Sequence, residues 1–318
     1  MPRPRRWPAW GAFRYAPTPS SPEQLVLTSN RGRTLDIAFA YDGAYAPYVP
    51  AVIESVLEHH AAGEIDFWLL VTPDVTAELR RRLASQVGAR GRLHFIEPEQ
   101  KVDDLPISTV EEFSYVSTAA HMRILLPRLL PERIERVLYL DVDILCLGSL
   151  REVFEVDLRG DIAAAGQDAY VSCLSDMGGL PGLAEYENLR PDAPYFDSGV
   201  LLIDLPGWRN HDIESHSFEY ARRHAARTRF PDQDALNYAL YGKWLVLPKK
   251  WNHILGPRLD SPMGADITDA RLIQQIGPDK LWDEHFPASP RKNLYELYAR
   301  RAAAAADTAS APNPDVPA

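Results

Sequence analysis

The strongest constraint on how this chain folds is an alternation of short apolar runs with amphipathic stretches, repeated within its first third. Leu35-Asp-Ile-Ala-Phe-Ala40 has the length and content of a buried strand, and Ile65-Asp-Phe-Trp-Leu-Leu-Val71 is a second. Between them Val49, Val52, Ile53, Val56 and Leu57 fall at i, i+3, i+4, i+7 and i+8, one face of a helix. Pro47 and Pro50 sit before or in its first turn, where proline is tolerated. A helix from Thr76 to Val87 and a strand near Leu93 to Ile96 continue the series. Consecutive β-α-β units predict an α/β fold with a mostly parallel, doubly wound central sheet, because parallel neighbours are joined by helical crossovers. Ligands of such sheets bind beyond the carboxyl ends of the strands.

One later run ends in acid. In Val137-Leu-Tyr-Leu-Asp-Val-Asp-Ile-Leu145, read as a strand, Asp141 and Asp143 lie two apart and project from the same face. Carboxylates so close need a shared cation or hydrogen-bond donors. A hard divalent metal such as Mn²⁺ or Mg²⁺, completed by diphosphate oxygens, suits them. The plainer alternative is a strand that ends in a turn with two solvated aspartates. Asp42 and Tyr45 follow the first strand, and the topology places them on the same rim as the aspartate pair, which favours the metal reading.

The rest of the chain supplies further polar groups. Ser117 to Leu130 reads as a helix carrying Arg123 and ending before Pro131. Asp161 to Gly166 reads as a strand followed by Asp168, and Tyr170 to Pro194 as a long irregular connection of the kind used for binding loops or lids. Tyr195-Phe-Asp-Ser-Gly-Val-Leu-Leu-Ile-Asp204 has a turn-like front and a buried strand behind it. Asp212 to Arg223 and Asp232 to Leu240 read as helices; Asp232 and Asp234 stand in a first turn, where capping is the ordinary role of a carboxylate. Leu272 to Gly277 is a last strand and turn, and Leu294, Leu297 and Tyr298 mark a short helix that gives way to a tail after Ala306.

The net charge of −10 argues against a nucleic-acid surface. Cys146 and Cys173 form neither a disulfide framework nor a zinc set, and read as small buried hydrophobes in a reducing compartment. No stretch has the length of a membrane span, and the basic start lacks the apolar core of a signal peptide. The expectation is a cytoplasmic protein: a flexible Pro/Arg-rich tail over 1–33, one domain over 34–288, then a short helix and disordered tail over 289–318. The N-terminal arginines suit peripheral contact with an anionic membrane surface.

Taken in order, Phe39-Ala-Tyr-Asp-Gly-Ala-Tyr45, Arg123, Leu138-Tyr-Leu-Asp-Val-Asp143, Tyr195-Phe-Asp-Ser-Gly-Val200, Asp232-Gln-Asp234 and Gly277-Pro-Asp-Lys-Leu-Trp282 resemble the retaining glycosyltransferases of family 8, the group of bacterial lipopolysaccharide galactosyltransferases and glycogenin. The resemblance covers residues 35 to 285. It implies a GT-A fold, a single nucleotide-binding α/β domain, and hexose transfer from a UDP-sugar to a glycan or glycolipid acceptor. It also implies roles. Asp42 accepts the uracil N–H, Tyr45 stacks on the base, and Ala40, Val142 and Gly277 complete the nucleotide site. Arg123 contacts the donor and Lys280 the diphosphate. Asp141 and Asp143 ligate the metal, and Asp168, Asp197, Asp232 and Gln233 line the sugar pocket. The expected cofactor is a divalent cation, Mn²⁺ before Mg²⁺.

The chain departs from the family pattern at Gln274, where a histidine usually gives the third metal ligand. An amide oxygen is a weaker Mn²⁺ ligand than imidazole and shifts preference toward Mg²⁺. His253 and His285 are nearby in sequence as candidate ligands, although a surface or core histidine is the ordinary reading of each. Asp197 stands where asparagine is common, Ala44 where a polar residue is frequent, and His121 where an aromatic is. Two competing functions stay open: a nucleotide-sugar-binding protein with weakened catalysis, motivated by Gln274, and a haloacid-dehalogenase-type phosphatase. The second wants its acidic pair near the domain start, whereas here more than a hundred residues precede it.

Overall fold

The computed structural model describes residues 34–99, 117–256 and 267–310. β1 (Leu35–Tyr41) and β2 (Ile65–Val71) are buried except at Asp36 and Asp66, as near-continuous apolar strands of a parallel sheet must be. The predicted face of α1 (Val49–Leu57) is buried against the sheet; each such aliphatic side chain contributes roughly 1.5–3 kcal/mol. α2 (Ala77–Val87) starts at the side chain of Thr76, which accepts from Leu79 N, and β3 (Gly91–Ile96) follows. β1 pairs in parallel with β2, and β2 with β3.

Beyond this half, β4 (Arg136–Leu140), β6 (Ala163–Gln167), β7 (Phe196–Asp204) and β8 (Trp244–Val246) extend the sheet to seven strands in the order β3-β2-β1-β4-β7-β6-β8. β7 runs antiparallel to both its neighbours; the remaining pairs are parallel. A second sheet of three strands, β5 (Ile144–Cys146), β10 (Leu272–Gln275) and β9 (His253–Leu255), packs beside it. The short helices α3 (Leu126–Leu129), α4 (Arg151–Phe154) and α5 (Leu205–Asn210) lie between strands. α6 (Ile213–His224) and α7 (Pro231–Ala239) cover the face opposite α1 and α2. Among the described residues no helix is long and apolar enough to cross a membrane.

Several expectations need correction. The stretch from 137 to 145 is two strands in two sheets, with Asp141-Val142-Asp143 as the turn between them, so the aspartates converge through that turn rather than through strand alternation. Thr118–Leu125 is a 3₁₀ helix that becomes α3 only at its end. Phe196 already belongs to β7, and the turn expected at its front lies earlier, at Pro191 and Asp192. β8 and β9 were not legible, since three-residue strands carry no usable period. The C-terminal helix α8 (Pro290–Ser310) is 21 residues rather than short, buries Tyr295, Tyr298, Ala302 and Ala306, and rests on α1 and α2. The tail expected over 1–33 lies outside the described residues.

Candidate active site

A cavity of about 470 Å³ opens beyond the carboxyl ends of β1 and β4, where the sheet order predicts a ligand. The turn holding the acidic pair is clamped from both sheets. Asp141 N donates to Gly199 O (2.9 Å) in β7, and Gln275 N in β10 donates to Asp143 O (3.1 Å). Asp141, Val142 and Asp143 all line the cavity.

The buried Arg123 ties the floor together. It pairs with Asp141 (2.9 Å) and Asp232 (3.1 Å), donates to Ser198 O (2.6 Å), and lies 4.6 Å from the centre of the Tyr139 ring. Burial works against its charge, but Asp141 and Asp232 outweigh that and keep it protonated. Tyr139 OH donates to Asp141 at 2.7 Å. For Asp232 burial pushes upward, yet Arg123, His121 and Ser198 hold its carboxyl below the usual range, so it is ionised.

Gln233 is fixed at both ends of its amide. Its Nε2 donates to Asp168 (3.0 Å) and its Oε1 accepts from Ser198 N (2.9 Å). Asp168 also accepts from the backbone of Tyr170 (2.7 Å) and Val171 (2.9 Å). Asp197 accepts from Gly199 N and Asn252 Nδ2, both at 2.9 Å. Burial, with the charges of Asp168 and Asp141, pushes Asp197 up to about 8, so near neutral pH it is mainly protonated and can donate. Asp234 does more than cap: besides the backbone of Phe230, which occupies the cap position of α7, Tyr195 OH (2.7 Å) and Thr228 Oγ1 (2.6 Å) donate to it.

On the facing wall stand Ala40, Tyr45, Gly277 and Lys280. Tyr45 meets Trp282 edge-on, with ring centres 6.1 Å apart, leaving a ring for stacking. Gly277 has φ +91°, a conformation that favours glycine. Lys280 Nζ donates to Asp143 (2.5 Å) and Gln275 O (3.0 Å). Asp42 is placed just behind this wall, its carboxylate accepting from Tyr45 N (3.1 Å) and from the Ser117 hydroxyl.

Gln274 does not line the cavity; it stands behind Asp143, to which its Nε2 donates at 3.3 Å. Its Oε1 is buried without a hydrogen-bond partner among the described residues. Gly199 makes the room: a β-carbon there would fall 2.3 Å from the Gln274 amide nitrogen. Neither histidine substitutes for it. His253 is in register with Ile273, which places it on the opposite face of the small sheet from Gln274, and His285 is exposed. Among the described residues no three His, Cys, Asp or Glu side chains group as a metal set. Sequence reasoning missed Ser117, Ser198 and Asn252. Ser198 was within a motif already singled out, whereas Asn252 reaches the site only through tertiary packing beside Gly166.

The model for glycosyl transferase family 8 matches residues 36–285. The chain belongs to that family. Its curated relatives include lipopolysaccharide 1,2-glucosyltransferase of Escherichia coli K12, 29% identical over 71% of this chain, and a putative glycosyltransferase of Haemophilus influenzae, 26% identical over 79%. These alignments span 64% and 73% of the two relatives, so the chain corresponds to somewhat under two thirds of the first. A crystal structure of the galactosyltransferase LgtC in complex with donor and acceptor sugar analogues superposes with a TM-score of 0.66 at 25% identity. It covers 88% of this chain and 98% of LgtC. An active-site mutant of LgtC gives 0.68 at 26% identity, covering 84% and 96%. The family 8 chain thus has the expected GT-A α/β fold.

Proposed function

We propose that this chain transfers a hexose from a UDP-sugar, with retention of configuration, to a saccharide or glycolipid acceptor of the lipopolysaccharide type. The observation that carries the reading is the meeting in one cavity of a stacking ring at Tyr45, the carboxylates Asp141 and Asp143, the cation Lys280, and the amide–acid set around Gln233. The relatives named for lipopolysaccharide sugar transfer and the LgtC complex support the same donor and acceptor classes.

The residues divide the work. Tyr45 stacks on the base and Asp42 accepts its N–H, with Ser117 holding the carboxylate in place. Lys280 neutralises negative charge as the sugar–phosphate bond breaks. The donor set fits a divalent cation: Asp141 and Asp143 present hard carboxylate oxygens that suit Mn²⁺ or Mg²⁺, and behind Asp143 the partnerless amide oxygen of Gln274 would add a third on turning its amide toward them. When bound, that ion supplies Lewis-acid stabilisation of the departing diphosphate. Asp168, Asp197 and Asp232 surround the sugar; the carboxylates of Asp168 and Asp232 oppose the positive charge that develops at its anomeric carbon, and the protonated Asp197 offers a hydrogen bond. Gln233 is a poor nucleophile, and its amide is fixed by Asp168 and Ser198. Asp232 is committed to Arg123. Same-face attack, with the leaving phosphate as base, is therefore favoured over a covalent intermediate; trapping a sugar on Gln233 or Asp232 would reverse that.

A second reading, a nucleotide-sugar-binding protein with weakened catalysis, is favoured by one observation: Lys280 and Gln274 both already bond Asp143. Both readings meet the same test, a panel of UDP-sugars with Mn²⁺ or Mg²⁺ read by UDP release. Turnover of one donor supports transfer; silence with intact UDP binding supports the second reading.

A further inference from the structure

The cavity has a second wall, built from the connection ahead of α7 and from the loop between β6 and β7. Tyr170, Met177, Arg229 and Phe230 line it. Tyr170 and Phe230 pack into a hydrophobic cluster with Leu174 and Tyr220, separate from those that seat Tyr45 and Trp282. With Tyr45, Asp143 and Lys280 assigned to the nucleotide and diphosphate of the proposed donor, Tyr170, Met177, Arg229 and Phe230 are the lining left to meet what lies beyond the sugar.

Arg229 is half-buried here, its guanidinium carbon 5.9 Å from the centre of the Phe230 ring. Among the described residues no carboxylate lies within ion-pair distance of it; the buried Asp234 feels its charge at longer range, but its carboxylate is bonded elsewhere, as are those of Asp232 and Asp168. Asp234 is held by Tyr195 and Thr228, Asp232 by Arg123 and Ser198, and Asp168 by two backbone N–H groups and Gln233. The two other cations of the cavity, Arg123 and Lys280, are bound to Asp141, Asp232 and Asp143. A cavity so rich in carboxylates repels an anion unless a cation meets it, and Arg229 is positioned to be that cation. A guanidinium presents a planar fork of donors that matches a phosphate or carboxylate.

We propose that Arg229 is an anion subsite for the acceptor, pairing with a phosphate or carboxylate carried by the acceptor saccharide close to the hydroxyl that receives the sugar. The inference rests on the sugar-transfer reading and adds to it the chemical class of acceptor: an anionic glycan rather than a neutral one. Phe230 and Met177, which is 58% exposed, give the same sugar an apolar surface beside the charge.

The test uses oligosaccharides released from lipooligosaccharide in four forms: native, dephosphorylated, carboxyl-reduced, and both. Each is titrated calorimetrically into UDP-loaded protein containing Mn²⁺, for the unmodified chain, Arg229→Gln and Arg229→Lys. A charge-assisted contact predicts that Arg229→Gln weakens native binding by about 10- to 100-fold and that Arg229→Lys recovers part of it. The doubly neutralised form binds the unmodified chain as weakly as the native form binds Arg229→Gln. Whichever single treatment reproduces that loss identifies phosphate or carboxylate as the source. The proposal is overturned if native and doubly neutralised forms bind the unmodified chain equally, if neither binds, or if Arg229→Gln weakens both alike. Failure of the sugar-transfer reading shows elsewhere, as absence of UDP-sugar turnover in the unmodified chain.

Discussion

Gly199→Ala tests the role of Gln274 without touching a charged group. An added methyl carbon falls 2.3 Å from the Gln274 amide nitrogen and 2.7 Å from its carbonyl carbon and oxygen, too close for any of them to stay. The Gly199 backbone is held at both its polar groups, the carbonyl accepting from Asp141 N and the N–H donating to Asp197, both at 2.9 Å, so the flexible amide yields first. The amide must swing away, breaking its 3.3 Å bond to Asp143. Overpacking in a core costs about 1–3 kcal/mol, and the clash involves the end of a flexible side chain, so the stability loss belongs near about 1 kcal/mol. Metal affinity is the telling readout. Withdrawal of one oxygen ligand predicts roughly a tenfold loss, about 1.4 kcal/mol, in Mn²⁺ titrated calorimetrically into the UDP-loaded protein. A double-mutant cycle isolates the cause: in a Gln274→Ala background, Gly199→Ala has nothing to displace and costs no further affinity. Equal losses in both backgrounds, or no loss in either, would refute the reasoning.

Three other changes follow. Arg123→Met leaves the buried Asp232 and the half-buried Asp141 without their cation, and denaturant unfolding should show a loss of about 3–5 kcal/mol, partly recovered by adding Asp232→Asn. Asp197 titrates near 8 in the fold against about 3.9 in the unfolded chain, so its contribution to stability is complete below the lower value and is lost as pH rises through the upper one. Asp197→Asn removes that dependence. In denaturant unfolding its stability should gain on the unmodified chain as pH rises from about 5 to about 8, by up to about 1.4 kcal/mol per pH unit, and a constant gap over that range would count against a protonated Asp197. Gln274→His, which restores an imidazole beside Asp143, should raise Mn²⁺ affinity in the same calorimetric assay; weaker binding would mean that the amide itself is adapted to the site.

Much of this site was legible because its residues stand at the ends of elements whose periodicity is strong. β1, α1 and β2 announce themselves by burial pattern, and their order fixes the rim on which Tyr45, Asp141 and Asp143 meet. What stayed hidden depends on contacts far apart in sequence. Asp141 and Asp143 converge through a turn held by Gly199 and Gln275, groups 58 and 132 positions downstream of them respectively. Capping is the local reading of Asp234, but Tyr195 and Thr228 claim its carboxylate. Asn252 follows a 3₁₀ turn and precedes a three-residue strand, with no local pattern to show that it steadies Asp197. Arg229 falls between two helices, and only the placement of Phe230 and Met177 beside it makes it part of the cavity.

The central claim is retaining sugar transfer from a UDP-sugar at the cavity bounded by Tyr45, Asp143 and Lys280. Proton NMR of a single reaction mixture tests it most directly, following the anomeric proton of the donor and that of the new glycosidic bond. Retaining transfer gives metal-stimulated loss of the donor signal and a product of the donor's own anomeric configuration, both abolished by Asp143→Ala. A product of inverted configuration, or UDP bound with no donor consumed under either metal, would contradict it.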